Sequence, residues 1–435
     1  MPDDWTHWRR KLTLAPQAVA ENARRASQTL ALAPTEQKNT ALLSLADSLL
    51  ARQDEIATAN DADIERAKET GIPAHIANRL RFGEAKIQSR VSSLRKIAAL
   101  PDPVGAVFDT RRCANGMLAQ RVRVPLGVIL MIYEARPHVT VNAGAFCLKS
   151  GNGSILRGGS EARESNAVLG SLWRAALQSA GLPEHAVQVI AGSHEEVGEL
   201  LNCSGLIDLV IPRGGKSLIE SVSRQSSVPV LKHFAGVCHV YLDASAGPAR
   251  ALDIAIDSKC LMPEVCNAME TLLVHQDFQP HLGAVLKAYQ DRGVRVIGCE
   301  RTQAAGKDIQ PATEEDWRTE YLDMVVSVRV VDTLDQAISH INTHGSHHTD
   351  VIVTDSLDAA RQFQRAVDSG VVLVNASTMF CDGETLGMGA EIGISTDRLH
   401  ARGPMGLEEL TTYKFLIQGE GHVMGESISN QEQEG

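Results

Sequence analysis

The stretch from Gly127 to Ser160, GVILMIYEARPHVTVNAGAFCLKSGNGSILRGGS, decides the fold. An unbroken apolar run, GVILMIY, gives way to a helical segment ending at Lys149, and a second short apolar run, SILRGGS, follows. Strands without polar alternation are buried on both faces, as happens where helices connect parallel strands. The rhythm continues with a helix in ARESNAVLGSLWRAALQSAG, a strand in AVQVIAG, a helix in HEEVGELLN and a strand in IDLVIPRGG. After another helix, VPVLKHFAG reads as a further strand.

Upstream, residues 16 to 100 read as a helical layer. Leu42, Leu45, Ala46 and Leu49 fall on one helical face with charges opposite, and RFGEAKIQSRVSSLRKIAAL repeats the pattern up to Pro101. Downstream of Val240 a second alternating series supplies ETLLVH, VRVIGC, DMVVSVRVV, DVIVTD and GVVLVNA as strands. The fold class is therefore α/β with two consecutive units, divided near LDASAGPARA. Two segments break the alternation: VFDTRRCANGMLAQRVRVP, with an Asn-Gly hairpin signal at its centre, and the strand-like GLEELTTYKFLIQGEGHV. Lying outside both sheets, they are candidates for pairing with a second subunit. The polar tail from residue 426 to 435 reads as disordered.

Bulk properties narrow the function classes. A chain of 435 residues with 43% hydrophobic and 22% charged residues is an ordinary globular protein. Its net charge of −11 argues against nucleic acid as a partner. The N-terminal MPDDWTHWRRKLTL lacks a signal-peptide h-region, and VPLGVILMIY is about half the length of a membrane span. The eight cysteines are scattered, with no CxxC, as suits reduced thiols in the cytoplasm.

Three features could carry chemistry. The glycine-rich turns LKSGNGSILRGGSEA and IPRGGKSL each place small residues and a cation between a strand and a helix, which suits a phosphate or merely a tight turn. In SKCLMPEVCNAMETLLVH, Cys260 and Cys266 are too isolated for a zinc site. Cys266 precedes a strand, where it is either a reactive thiol or an inert packing residue. HINTHGSHHTD holds His340, His344, His347 and His348 without HExxH or a nearby cysteine, so no metal is expected there.

Several long stretches together make the chain resemble the γ-glutamyl phosphate reductases, members of the aldehyde dehydrogenase superfamily. They are VPLGVILMIYEARPHVTVNA, CLKSGNGSILRGGSEA, DLVIPRGGKSLI, VCNAMETLLVH, AISHINTHGSHHTDVIVT and GAEIGISTDRLHARGPMGLEELTTYK. The resemblance implies an aldehyde-dehydrogenase-like fold of two Rossmann-like α/β domains with a small β oligomerisation arm. Residues 1–104 and 125–243 would bind the cofactor, 244–400 would carry the nucleophile, and 105–124 with 401–425 would form the arm. It implies reduction of L-glutamyl 5-phosphate to L-glutamate 5-semialdehyde with NADPH in proline biosynthesis. Cys266 would be the nucleophile, with Asn267 and nearby backbone N–H groups holding the oxyanion; Cys260 is read as packing.

Lys149, Ser150, Arg157, Gly158, Gly159, Gly214 and Gly215 would line the NADP site, with Arg157 facing the 2′-phosphate and Glu320 the nicotinamide ribose. Arg136, His340, His348 and Arg402 are the substrate-binding candidates, with Arg213 and Lys259 as further cations. The resemblance also implies a homodimer or higher oligomer and contact with a separate glutamate 5-kinase. Phe234 and Ala235 precede Gly236 where hydrolytic members carry a glutamate, which favours phosphate over water as acyl acceptor. Met262, Met379 and Leu386 depart from the family pattern of arginine, arginine and phenylalanine. The competing readings are an enzyme of the same fold acting on another acyl group, and a non-catalytic partner of the kinase.

Overall fold

The structure is a computed structural model that describes residues 14–231, 235–389 and 391–425, leaving aside the side chains of residues 74–76 and 216. The expected tail at 426–435, the N-terminal leader reading and Phe234 lie outside the described residues. The chain divides into two compact units. The first runs to Val210 and resumes at Leu407; the second spans Ile211–Gly406.

The first unit opens with the expected helical layer, Pro16–Leu30, Thr35–Ala51, Gln53–Glu69, Ala74–Leu80 and Glu84–Ala99. Beyond it, β1 (Val107–Arg112) and β2 (Leu118–Pro125) form the antiparallel hairpin that Asn115-Gly116 signalled, with Gly116 at φ +92° in the turn. Next come β3 (Val128–Tyr133), β4 (Gly153–Gly158), β5 (Val187–Ile190) and β6 (Leu209–Arg213), in sheet order β5-β4-β3-β6. Strands β3, β4 and β5 pair in parallel, and every residue of β3 is buried, as its unbroken apolar run requires. The helix Pro137–Lys149 approaches the helix Arg163–Ser179 closely at Gly144, where a Cβ would stand 2.6 Å from the Trp173 ring.

The second unit holds a seven-stranded, fully parallel sheet. Its strands are β7 (Cys238–Leu242), β8 (Met269–His275), β9 (Arg295–Gly298), β10 (Gln310–Pro311), β11 (Val325–Val331), β12 (Thr349–Val353) and β13 (Val371–Val374), in the order β10-β9-β11-β8-β7-β12-β13. Val240, Leu272, Val328 and Val351 form the core on one face; Tyr241, Leu273, Ile352 and Phe363 form it on the other. A short β14 (Gly393–Ser395) pairs with β15 (Gly403–Met405). Finally β16 (Thr411–Gln418), back in the first unit, pairs antiparallel with β2 and completes the three-stranded sheet β1-β2-β16.

Three expectations change. The boundary lies at Val210/Ile211 rather than at residue 243, because β7 pairs with β8 and β12. VPVLKHFAG contributes no strand to either sheet over its described residues; Pro229 has no N–H to donate to a ladder. The late segment is also divided: β15 belongs to the second unit, and only β16 joins the hairpin.

Candidate active site

Cys266 lies in the turn before β8, partly exposed, with Asn267 and Ala268 already buried behind it. Three neighbours fix its backbone. Gly236 is pressed against it so closely that a Cβ would fall 1.7 Å from the Cys266 carbonyl oxygen. The buried Cys238 thiol donates to that carbonyl at 3.3 Å. Asn267 Nδ2 donates to Cys381 O at 3.0 Å and Met379 O at 3.4 Å. Both amide protons of Asn267 are thus spent fastening the turn, so the side chain is not the oxyanion donor expected of it. The backbone N–H groups of Cys266 and Asn267 enter no hydrogen bond with other described residues, which leaves them for a developing negative charge.

Burial pushes the Cys266 thiol up to about 11; Arg213 works against this, while Glu391 and Glu320 add to it. Both acids are themselves raised by burial. Glu320 Oε1 accepts from Gly236 N at 2.7 Å, and Glu391 accepts from Gly383 N at 3.1 Å. Cys266 therefore rests as a thiol flanked by two carboxyls that hold protons more tightly than exposed ones, and by one guanidinium. The guanidinium favours the thiolate once it forms. In the ligand-free protein, alkylation of Cys266 by iodoacetamide, mapped by peptide mass, is expected to rise with pH through pH 10 without levelling near 9. In Arg213→Gln it should be roughly three- to tenfold slower at pH 8, because the cation opposing burial is gone.

Beneath the turn, Lys259 and Glu270 form an ion pair of 2.7 Å with both side chains out of solvent. Glu270 is the extra residue of a bulge opposite Cys238 on β7, and its second oxygen accepts from Leu322 N at 3.1 Å. Burial raises the Glu270 carboxyl to about 7 even though Lys259 pulls it down. The pair ties the Cys266 turn to the segment carrying Glu320. Gly236, Cys266, Glu320 and Ser346, which accepts from Val237 N, all precede the amino ends of β7, β8, β11 and β12. The site therefore sits at the amino edge of this sheet, not the carboxyl edge typical of open α/β sheets.

The cofactor candidates separate in the same way. In the first unit, Arg157, Gly158 and Gly159 end β4 at its carboxyl edge, with Arg157 donating to Gly192 O at 3.1 Å. Lys149 and Ser150 do not share that edge. They end the helix that leads into β4, so the antiparallel run of helix and strand carries them to the opposite side. There Lys149 is buried, donating to Asn39 at 2.7 Å and Ala98 O at 2.9 Å, and Ser150 Oγ donates to Phe146 O. In the second unit, Gly214 and Gly215 are exposed at the start of the helix Lys216–Gln225, and a Cβ on Gly215 would meet nothing within 4 Å. That open N-terminus fits a dinucleotide phosphate.

Of the substrate candidates, His348 is buried under the Cys266 turn, with Nδ1 3.5 Å from Cys238 Sγ and 2.8 Å from Thr349 Oγ1. Arg402 is clamped on Asp368, and His340 lies on the helix Leu334–His344 against Arg329. Arg136 precedes the helix Pro137–Lys149 in the first unit, near Arg81, Lys86 and Arg90. Lys259 is committed to Glu270, so among these cations Arg213 is the one whose charge bears on Cys266. Sequence reasoning overlooked Glu391 and Glu270. A glutamate inside the apolar strand METLLVH was the available signal for the second. Cys260 packs beside the core cluster, as expected.

The chain matches the aldehyde dehydrogenase family over residues 11–302. The chain belongs to the aldehyde dehydrogenase family. This aldehyde dehydrogenase is similar to the γ-glutamyl phosphate reductase of Thermotoga maritima, at 42% identity over 95% of this chain and 100% of that one, with a TM-score of 0.92. The γ-glutamyl phosphate reductase of Saccharomyces cerevisiae is 30% identical over 95% and 100% of the two chains, with a TM-score of 0.53. A probable aldehyde dehydrogenase of Listeria monocytogenes, at 15% identity over 94% and 97% with a TM-score of 0.67, shares the fold. The protein is an oxidoreductase acting on an aldehyde group, in a family that uses nicotinamide cofactors. No helix among the described residues is long and apolar enough to cross a membrane, and among them no group of His, Cys, Asp and Glu could hold a metal.

Proposed function

We propose that the protein reduces L-glutamyl 5-phosphate to L-glutamate 5-semialdehyde with NADPH, the second step of proline biosynthesis from glutamate. The observation that carries this reading is the partly exposed Cys266 thiol, locked by Gly236 and Cys238 beside Arg213, Glu320 and Glu391. Likeness to two γ-glutamyl phosphate reductases across nearly the whole chain supports the choice of substrate.

Glu320 or Glu391 takes the thiol proton, and the Cys266 thiolate attacks the acyl carbon. The N–H groups of Cys266 and Asn267 meet the oxyanion, and phosphate leaves with the electrons of the broken C–O bond. NADPH, when bound, supplies the hydride that reduces the thioester. The C–S bond then breaks, releasing the aldehyde and restoring the thiolate. In the second unit, Gly214 and Gly215 would hold a phosphate of NADPH and Glu320 its ribose; in the first unit, Arg157, Gly158 and Gly159 are the phosphate candidates. Arg213 would bind an anionic group of the substrate. Exposed Tyr413, Phe415 and Ile417 on β16, with Phe108 on β1, form an apolar surface suited to a second copy of the chain. The protein would work in the cytoplasm, receiving the labile acyl phosphate from a separate glutamate 5-kinase.

The reverse reaction tests the reading. Glutamate semialdehyde and NADP⁺ should yield NADPH only when inorganic phosphate is present, and turnover without phosphate would make the protein a hydrolytic dehydrogenase. Gly236→Ala should keep the fold and lose about 10²-fold in this assay, because its Cβ displaces the Cys266 backbone. Unchanged turnover in that variant would show that the turn tolerates displacement.

A further inference from the structure

A ring of contacts in the second unit closes on Cys266. Gly236 presses on the Cys266 carbonyl, and its own N–H donates to Glu320 Oε1 at 2.7 Å. Leu322, on the same segment as Glu320, donates its N–H to Glu270 Oε1 at 3.1 Å. Glu270 sits in the β8 bulge opposite Cys238, and β8 leads back to the Cys266 turn. Its second oxygen, Oε2, accepts from Lys259 Nζ at 2.7 Å, and neither side chain is exposed.

Leu322 is the strained member of this ring. Its φ is +52°, in the left-handed region that leucine seldom enters because Cβ there crowds the following carbonyl oxygen. The side chain does not ask for that conformation, since it is 39% exposed and belongs to neither core cluster of the sheet. With its N–H held on Glu270, the chain reaches β11 at Val325 through this one bend. Tyr321 Oη anchors the segment separately, 2.7 Å from Ser327 Oγ and donating to Asp316 Oδ1 at 3.0 Å. A change at Glu270 therefore shifts the segment rather than releasing it. The residue type follows from the partners. Lys259 Nζ and Leu322 N are both donors, so residue 270 must offer two acceptors, as a carboxylate does. A glutamine would meet one of the two with an N–H.

We propose that Glu270 is a positioning residue for the Cys266 site: by holding Leu322 N in the left-handed bend it keeps Glu320 on Gly236 N. Its two oxygens are spent on Lys259 and Leu322, so it acts on Cys266 only through these neighbours. This deepens the reductase reading and rests on it for turnover.

Two double variants separate position from stability. Lys259→Met with Glu270→Gln keeps an acceptor for Leu322 N, and Lys259→Met with Glu270→Leu has none; neither leaves a buried charge behind. Crystal structures should show Gly236 N bonded to Glu320 in the first and that bond broken in the second. In the reverse assay the Leu variant should turn over about tenfold more slowly than the Gln variant. Adding Leu322→Gly to the Leu variant should return most of that factor, because glycine adopts the left-handed bend without penalty. A merely structural Glu270 would give no such rescue, since glycine at an ordinary position lowers stability. The bond kept in both crystal structures would overturn the proposal, as would equal rates or a glycine without effect. If the wild type shows no phosphate-dependent turnover, the reductase reading falls, and the crystal structures still decide this proposal.

Discussion

Cys266→Ala is expected to lose at least ~10⁴-fold of phosphate-dependent NADPH formation, while Cys260→Ala stays close to wild type. No other described sulfur can replace it. Cys238 is buried with its thiol donated to the Cys266 carbonyl, and Cys381 is buried, its thiol raised to about 12. The backbone N–H groups that meet the oxyanion would survive the substitution, so residual binding of the acyl phosphate should survive too. A kcat loss with little change in substrate binding is therefore the predicted signature, and retained turnover would remove Cys266 from the mechanism.

The second large effect concerns stability. Lys259→Met should destabilise the protein by about 3–5 kcal/mol near pH 8, because Glu270 must then either stand charged and unpaired in the interior or hold a proton well above the ordinary carboxylate range. The loss should shrink on acidification. The folded protein already holds the Glu270 carboxyl at about 7, above the value of an unfolded chain, and removing the ammonium raises it further. Such a group contributes most below its unfolded value and progressively less as pH rises through the folded one. Denaturant unfolding of Lys259→Met at pH 6 and pH 8 measures this. A loss that is equal at both pH values, or greatest at pH 6, would contradict the assigned role of Glu270. Lys259→Met with Glu270→Leu should recover much of the stability, since the pair is removed without leaving a charge behind.

Local pattern made the two alternating series legible, because buried parallel strands are apolar runs of characteristic length. The division between the units was not legible. Val228 and Val230 look like strand residues, yet the next strand forms at CHVYL and joins the other sheet, a choice made by tertiary pairing with β8 and β12. The place of Cys266 in a turn before a strand was readable because it is a local arrangement, but that pattern left a reactive and an inert thiol equally open, and only the resemblance to the γ-glutamyl phosphate reductases favoured the first. Lys149 and Ser150 misled because glycine-rich context marks a turn without marking which edge of the sheet it occupies. Arg213 was already a candidate cation in the sequence, but its bearing on Cys266, like that of Glu391, comes from distant parts of the chain and emerged only from the folded geometry.

Trapping the acyl-enzyme tests the central claim most directly. The protein would be mixed with glutamate semialdehyde and NADP⁺ in phosphate-free buffer, quenched in acid, and its peptides weighed. The account predicts a glutamyl thioester on Cys266 that persists in water and disappears when inorganic phosphate is added. An adduct on another residue, or one that water discharges as quickly as phosphate does, would contradict it.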